Sequence, residues 1–277
     1  MEYNYKCFSS MTPIMKYDTT IVPVDNLKVN DILIGANGKP AMIKNIYRKT
    51  GKLYTITPTN GIPYTTSEEH ILMLKSIDTE KKIKISVAEF NSLQKSEQAK
   101  LYSYKTKLNF IDNDAQKVAD FFKSKFPDNS ALIDVFINTE DIPKELLISS
   151  FQMRYELITG FVNKIGEKTL NVYKLPFSNW TFANKFAFIA RSVGFRVFVD
   201  AFISNNPTVK KNNIVGNFFV TIADEGYVKI PTMCHENIND HRPLLSEITI
   251  KYYGTDEYIA IEIENDANII FVDCTVL

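Results

Sequence analysis

The chain has 277 residues, of which 45% are hydrophobic and 23% charged, a composition typical of a soluble globular protein with a sizeable core. Lysine plus arginine and aspartate plus glutamate number 32 each, so no global basic field favours nucleic acid. No apolar run has the length of a membrane span or a signal peptide core, and three cysteines are too few for a disulfide framework or a four-ligand zinc site. These features predict a cytosolic or nuclear protein that is not secreted.

Residues 7–74 have the pattern of β-structure. Short apolar runs alternate with turn signals, and the pairs Asn37-Gly38 and Asn60-Gly61 mark two-residue hairpin turns. This spacing favours a compact all-β unit. Its predicted strands are residues 20–24, 31–35, 41–47, 53–57 and 71–74.

From Asp78 the pattern changes to a mixture of charged stretches, helices and strands. Pro143 suits the first turn of a helix, Pro127 stops one, and Gly194 suits the position just past a helix end. Helices are predicted at residues 87–93, 114–126, 142 to about 162, and 181–193, and strands at residues 196–202 and 217–223.

After Gly226 the β-pattern returns, with strands predicted at residues 247–253, 257–264 and 269–272. A mixed segment between two β-rich segments predicts an insertion into one β-domain. We therefore expect a discontinuous β-domain and an α+β insert. The predicted boundaries are residues 1–6 for an N-terminal remnant, 7–80 with 228–277 for the β-domain, and 81–227 for the insert.

Two segments near the N-terminus resemble the opening motif of inteins and related Hint domains, in which a cysteine begins the element. They are CFSSMTPIM, starting at Cys7, and LKVNDILIG, starting at Leu27. Thr19 and Asn30 stand where glycine is usual in that family. The resemblance implies a mainly β, horseshoe-like Hint fold with Cys7 as its nucleophile.

The segment GIPYTTSEEH, which ends at His70, resembles the intein motif in which a threonine and a histidine three residues later face the N-terminal scissile bond. Ser67 and His70 match this pair, so a hydroxyl is retained although the residue type differs. Thr66 is an alternative donor of that hydroxyl.

The last strands also resemble those of inteins like the one in the yeast vacuolar ATPase, which return the chain end to the splice site. The matching segments are YIAIEI, starting at Tyr258, and DCTVL, starting at Asp273. In that family a His-Asn pair and a nucleophile follow, whereas this sequence stops at Leu277. Ala267 or Asn268 lies where the family often has a further histidine.

The insert contains ITGFVNKIG, starting at Ile158, which resembles the LAGLIDADG motif of homing endonucleases. The position of its metal-binding carboxylate is Ile165, and Ser124 takes that position in an eroded first copy. Phosphodiester cleavage by this family needs a carboxylate-held divalent metal, which neither residue can bind. We therefore expect a degenerate LAGLIDADG-like domain without endonuclease activity and without a metal.

The resemblance to inteins implies a mechanism without a cofactor. Residues 1–6 would be an N-extein remnant, and the Cys7 thiolate would attack the carbonyl of Lys6. His70 would protonate the departing nitrogen, and Ser67 or Thr66 would hydrogen-bond the strained peptide or its oxyanion. Asp273 would tune Cys7 or orient neighbouring groups.

The partners implied are the flanking extein sequences in cis, and the location would be that of the host protein. Because the terminal His-Asn is absent from this sequence, asparagine cyclisation is expected to be impossible. The thioester would then lose its N-terminal peptide to water or to an added thiol.

Two alternatives stay open. One is a DNA-binding homing endonuclease. The lost carboxylates and the zero net charge argue against it. Under this alternative, residual DNA binding would use Lys210, Lys211 and Lys229. The other is a Hint autoprocessing domain, which passes its thioester to an outside nucleophile.

Overall fold

A computed structural model describes residues 5–111, 113–169, 172–201, 210–211, 214–215, 218–223 and 244–277. The chain divides into two compact units. The first unit comprises Met1–Thr106 and Leu244–Leu277, and the second unit comprises Lys107–Pro243. Across the described ranges, no helix is both long and apolar enough to cross a membrane.

The described strands, in chain order, are β1 (Lys6–Ser9), β2 (Pro13–Met15), β3 (Ile21–Pro23), β4 (Ile32–Ile34), β5 (Pro40–Pro58), β6 (Tyr64–Ser67), β7 (Ile71–Ser76), β8 (Lys82–Ser86), β9 (Leu101–Tyr104), β10 (Glu167–Thr169), β11 (Val172–Phe177), β12 (Arg196–Ala201), β13 (Lys210–Lys211), β14 (Ile214–Val215), β15 (Phe218–Ala223), β16 (Leu245–Ser246) and β17 (Ile248–Ile263). The helices are α1 (Val87–Ser92), α2 (Lys95–Gln98), α3 (Asn113–Lys125), α4 (Asn129–Thr139), α5 (Lys144–Leu147), α6 (Phe151–Ile165) and α7 (Trp180–Ser192).

The first unit is mainly β and is built around two long antiparallel strands, β5 and β17. They lie in a sheet with the order β1-β17-β5-β4, and β6 also pairs with β5. A second sheet has the order β16-β9-β7-β8. Because β17 pairs with β1 on one side and β5 on the other, the last part of the chain holds the first strand in place.

Both long strands replace pairs of shorter predicted ones. Residues 41–47 and 53–57 belong to the single strand β5, and residues 247–253 and 257–264 belong to β17. The two strands pair with each other from Ile43 to Pro58 and from Ile248 to Ile263, with register shifts between Tyr252 and Gly254 and between Glu262 and Ile263. The predicted strand at residues 269–272 is instead a segment with isolated bridges, such as that between Ile270 and Val276.

The division between the units differs from the predicted boundary at residues 80 and 81. The charged stretch beyond Glu80 forms β8, which pairs with β7, and β9 pairs with β7 on the other side. These strands continue a sheet of the first unit, so the division falls after Thr106. The second predicted boundary, at residues 227 and 228, lies outside the described residues.

The second unit is α+β, with an antiparallel sheet in the order β10-β11-β15-β12. Four phenylalanine rings form much of its core, with centroid separations from 4.9 to 6.1 Å; they are Phe161, Phe177, Phe182 and Phe186. The long helix predicted from residue 142 is interrupted. Ser150 caps α6 by accepting a hydrogen bond from the Met153 amide, 3.3 Å away, so α5 and α6 are separate helices.

Candidate active site at Cys7

Cys7 lies on β1 and is fully buried in the first unit. Its thiol packs in a small cluster with Leu53, Tyr258 and Ala260. Its backbone N–H donates a 3.0 Å hydrogen bond to Nδ1 of His70, a residue 63 positions later in the chain. The structure therefore brings the predicted nucleophile and the predicted histidine together at the nitrogen of the Lys6–Cys7 peptide bond.

His70 lies between β6 and β7, and its ring is packed among aromatic side chains. The ring centroids of Phe8 and Tyr64 are 5.1 and 6.1 Å from that of His70. Burial, followed by the charge of Lys6, lowers the pKa of His70 to about 3, so the ring is neutral at pH 7. Since Nδ1 accepts a hydrogen bond, the proton is assigned to Nε2, which is buried without a partner among the described residues.

The Cys7 thiol is protonated in the resting site. Burial raises the pKa of Cys7 to about 11, and the nearby Ser67 hydroxyl opposes this rise. A thiol with this pKa is a weak nucleophile at neutral pH, because the thiolate is the reactive form. The site must therefore provide a way to remove the thiol proton before Cys7 can attack.

Thr66 and Ser67 contact different parts of Cys7. The Thr66 hydroxyl donates a short hydrogen bond to the carbonyl of Cys7, which is the carbonyl after the Lys6–Cys7 bond and not the one within it. Ser67 is 1% exposed, and its hydroxyl has no hydrogen-bond partner of normal geometry in the described structure. Successive residues of a strand point to opposite faces, which explains why only one of the two hydroxyls reaches the peptide.

Lys6 is also buried, with 1% of its surface exposed. Within the described part of the chain, its ammonium nitrogen has no hydrogen-bond partner. Burial, with a smaller effect from Lys84, lowers the pKa of Lys6 to about 7. The residue before the Lys6–Cys7 bond is thus held in an environment that favours its neutral amine.

The side chain of Asp273 contacts three segments of the first unit, at Ile62, Lys105 and Thr275. Its carboxylate accepts 3.0 Å hydrogen bonds from the amides of Ile62 and Thr275 and pairs with Lys105 at 3.2 Å. A Cβ atom at Gly61 would lie 2.9 Å from one carboxylate oxygen, so this close approach requires glycine. These contacts position Asp273 as an anchor for the chain near Thr275, and its predicted influence on Cys7 stays a prediction.

Tyr64 was not predicted as a site residue. Its ring lies near one residue from the start of the first unit and one from its end. Its ring is 6.3 Å from that of Phe8 and 5.4 Å from that of Phe271. Burial and the charge of Asp273 raise the pKa of Tyr64 above its usual range.

Tyr258 and Glu69 were also without a predicted role, and the Tyr258 hydroxyl donates to Glu69 at 3.2 Å. Strand patterns alone give no signal for contacts between residues so far apart in sequence.

The two predicted lost endonuclease positions lie on helices of the second unit. Ser124 is exposed on α3 and donates to the carbonyl of Phe121, whereas Ile165 is buried at the end of α6. Neither side chain is a carboxylate. Within the described ranges, no group of three or more histidine, cysteine, aspartate or glutamate side chains could hold a metal ion. Lys229 and the side chains of Lys210 and Lys211 lie outside the described residues.

Comparisons with known proteins find similarity over only part of the chain. No family model matches the chain, and no curated protein matches it. Among solved structures, the chain is similar to the gp41-1 intein, with a TM-score of 0.28 and 17% identity over 36% of this chain and 67% of that one. A triple-substituted variant of the same intein has a TM-score of 0.27 and 17% identity over 36% of this chain and 68% of the other.

Proposed function

We propose that the first unit is a Hint-type splicing domain that carries out an N-to-S acyl shift at the Lys6–Cys7 bond. The observation that supports this most strongly is the 3.0 Å hydrogen bond between the Cys7 amide and Nδ1 of His70. A buried thiol and a buried histidine at the same peptide bond give a nucleophile and a proton donor for its cleavage.

In the first step the Cys7 sulfur attacks the carbonyl carbon of Lys6 and the oxygen becomes negatively charged. Cys7 uses its own N–H and C=O toward His70 and Thr66. In an antiparallel pair of strands, residues that exchange backbone hydrogen bonds alternate with residues that do not. Because the backbone groups of Cys7 bond to His70 and Thr66, the neighbouring Lys6 is a residue that exchanges hydrogen bonds with Ile261 on β17. The N–H of Ile261 then faces the Lys6 carbonyl oxygen and stabilises its developing charge.

In the second step the C–N bond breaks and the Cys7 nitrogen leaves as an amine. This nitrogen becomes basic once the Lys6 carbonyl carbon is tetrahedral, and His70 is the group in contact with it. His70 is neutral at rest and must first take up a proton before it donates one from Nδ1. That proton replaces the one lost by the thiol, so the products are a thioester and an amine.

The chain order supports an insertion as the origin of the two units. The first unit is interrupted after Thr106 and resumes at Leu244, and β16 and β17 then pair with β9 and β5. The residues before Cys7 would be extein sequence acting in cis. A splicing domain and an autoprocessing domain share this first step and differ in the nucleophile that later receives the acyl group.

Intact mass spectrometry of the purified chain, with and without a small thiol, tests the proposal. We expect release of the Met1–Lys6 peptide as a thiol adduct, and Cys7→Ala to abolish that release. An unchanged mass in thiol would contradict the proposal. Release as the free acid without thiol, or transfer to another chain, would distinguish hydrolysis or autoprocessing from splicing.

As a second candidate function, we propose that the insert is a degenerate LAGLIDADG-like unit that binds DNA without cutting it. Lys174 and Arg196 share one face of the sheet. The Lys174 Nζ lies 4.1 Å from the centroid of the Phe219 ring, and the Arg196 Cζ lies 5.1 Å from that of Phe198. Lys174 is exposed and Arg196 is half-buried, and cations beside rings suit a nucleic acid backbone and its bases. Ile165 and Ser124 provide no carboxylate for a catalytic metal.

A gel-shift measurement at low salt with random-sequence duplex DNA tests this second candidate. We expect a shift that weakens as salt rises, and a weaker shift for Lys174→Glu with Arg196→Glu. Added Mg²⁺ should produce no cleavage. Absence of any shift at low salt would contradict DNA binding.

A further inference from the structure

Tyr258 is a buried tyrosine on β17 that packs in the cluster around Cys7. It is 3% exposed and belongs to the same small cluster as Cys7, Leu53 and Ala260. Its hydroxyl donates a 3.2 Å hydrogen bond to a carboxylate oxygen of Glu69. The Glu69 side chain is 56% exposed, so the tyrosine connects the buried thiol region to a group in water.

Gly51 makes room for this position of Tyr258. A Cβ atom at residue 51 would lie 3.2 Å from Cε1 of the tyrosine ring and 3.9 Å from its hydroxyl oxygen. The first of these distances is tighter than ordinary van der Waals contact, so a side chain there would displace the ring. The tyrosine hydroxyl is therefore held in place by a close backbone approach as well as by Glu69.

Ser67 lies beside the same cluster, because it pairs across β6 and β5 with Leu53. Its buried hydroxyl has no hydrogen-bond partner of normal geometry among the described residues, yet it is close enough to Cys7 and Tyr258 to lower the pKa of each. A hydroxyl both accepts and donates a proton. The thiol, the Ser67 hydroxyl and the phenol thus belong to one buried group, which is connected through Tyr258 to the exposed Glu69 carboxylate.

We propose that Ser67, Tyr258 and Glu69 form the route by which the thiol proton of Cys7 leaves the buried site. The inference rests on the proposed acyl shift and identifies how its nucleophile is activated. The thiol proton passes to the Ser67 oxygen, the Ser67 proton to the Tyr258 oxygen, and the Tyr258 proton to the Glu69 carboxylate and then to water. No net charge stays on Ser67 or Tyr258, and the thiolate keeps the electron pair that attacks Lys6.

The chemistry of the buried thiol explains why such a route is needed. With the pKa of Cys7 raised to about 11, only about one thiol in ten thousand is ionised at pH 7. The pKa of Tyr258 is raised to about 12, mainly by burial, so a phenolate is not a resident base and the hydroxyl acts as a relay. Lys49 lies 3.1 Å from the same Glu69 oxygen that accepts from Tyr258, and holds the carboxylate there.

The rate of thiol-induced, Cys7-dependent peptide release, measured against pH, tests the route for Tyr258→Phe and Glu69→Gln. We expect Tyr258→Phe to slow release roughly 10–100-fold at pH 7, and this loss to shrink toward pH 11 as hydroxide removes the proton directly. Tyr252→Phe and Glu257→Gln, an exposed tyrosine and an exposed glutamate on the same strand, serve as matched controls with rates within about twofold of the unaltered chain. Unchanged release at pH 7, or an equal loss at every pH, would overturn the proposal.

A second measurement separates this inference from the proposed function. At pH 7, transfer into heavy water replaces the Cys7 thiol hydrogen by deuterium at a rate that needs no acyl shift and that the infrared S–H stretch measures; the Cys7→Ala chain provides the baseline. We expect this rate to fall at least about tenfold in Tyr258→Phe. Slowed deprotonation with no peptide release in any variant would contradict the acyl shift alone. Equal deprotonation rates would overturn the proton route whether or not peptide is released.

Discussion

Two buried polar sites, one around Arg154 in the second unit and one around Cys7 in the first, differ in how their side chains are hydrogen-bonded. In the second unit, Arg154 is fully buried and donates to the carbonyl of Ser149 at 3.0 Å, to the carbonyl of Leu108 at 2.6 Å and to the Ser192 hydroxyl. In the first unit, Lys6 Nζ, Ser67 Oγ and His70 Nε2 are buried without partners in the described structure.

These unpartnered groups surround Cys7, where their burial lowers stability. Buried polar groups usually find hydrogen bonds, and exceptions in folded proteins are concentrated where chemistry occurs. The buried charge of Arg154 is thus used for structure, whereas the buried polar groups around Cys7 lower stability at one peptide bond.

His70→Gln should slow thiol-induced peptide release by about 10²–10⁴-fold, because the departing Cys7 nitrogen loses its proton donor. The measurement is the release rate by intact mass, with Cys7→Ala as the baseline and backbone NMR as the check on folding. A folded His70→Gln chain with the original release rate would contradict the role of His70.

Arg154→Met should destabilise the second unit by about 2–5 kcal/mol, because the substitution removes the donor from three buried acceptors. Hydrogen exchange of amides in α6 and α7 measures this loss. Arg48→Met provides the control, since Arg48 is exposed and its ion pairs with Asp25 and Glu257 contribute little. Equal effects of the two substitutions would show that the buried bonds of Arg154 contribute no more than exposed ion pairs.

Lys6→Met should stabilise the first unit, because it keeps the length of the side chain and removes a buried amine. The pKa of Lys6 is about 7 in the folded chain and 10.5 ordinarily, so the unfolded state binds more protons between these values and stability rises from pH 7 to 10.5. We expect a gain of about 1–3 kcal/mol at pH 7 and a flatter stability profile over that window.

Thermal unfolding at several pH values measures this gain, with the exposed Lys39→Met as the matched control. A lower melting temperature for Lys6→Met at pH 7, or an unchanged slope between pH 7 and 10.5, would show that the amine is not buried as described.

Thr66→Val should cost about 1–2 kcal/mol, because it removes the donor to the Cys7 carbonyl while keeping a branched side chain. Chemical denaturation followed at β1 and β6 measures the loss. Thr55→Val, on the neighbouring strand, is the control, since the Thr55 hydroxyl forms a 3.3 Å bond with that of Thr65. A smaller effect at Thr66 than at Thr55 would contradict the importance of the bond to Cys7.

Local patterns in the sequence predicted several elements. The helices predicted at residues 114–126 and 181–193 correspond to α3 and α7. The two-residue hairpin turns predicted at Asn37-Gly38 and Asn60-Gly61 are longer loops, because the strand pairing ends at Ile34 with Pro40 and at Ile56 with Tyr64. Strands β8 and β9 were missed, because β8 is rich in lysine and its conformation depends on pairing with β7.

The site was predictable only in part. The pairing of Cys7 with His70 follows from the resemblance of two short motifs to inteins, and the structure places both residues at one peptide bond. The contact of Tyr258 with Glu69 joins residues 189 positions apart and depends on the register of β17 against β5, in which Tyr258 lies opposite Lys49. No local pattern fixes such a register over so long a separation.

Selective NMR labelling reports on the Lys6–Cys7 bond itself, because Cys7 is the only cysteine that follows a lysine in this sequence. With ¹³C in lysine carbonyls and ¹⁵N in cysteine, only the Lys6–Cys7 bond gives a directly coupled carbon–nitrogen signal. We expect this signal in the resting chain, and its loss on addition of a small thiol at the rate of peptide release. A coupled signal that persists in thiol, in a folded chain, would contradict the acyl shift at this bond.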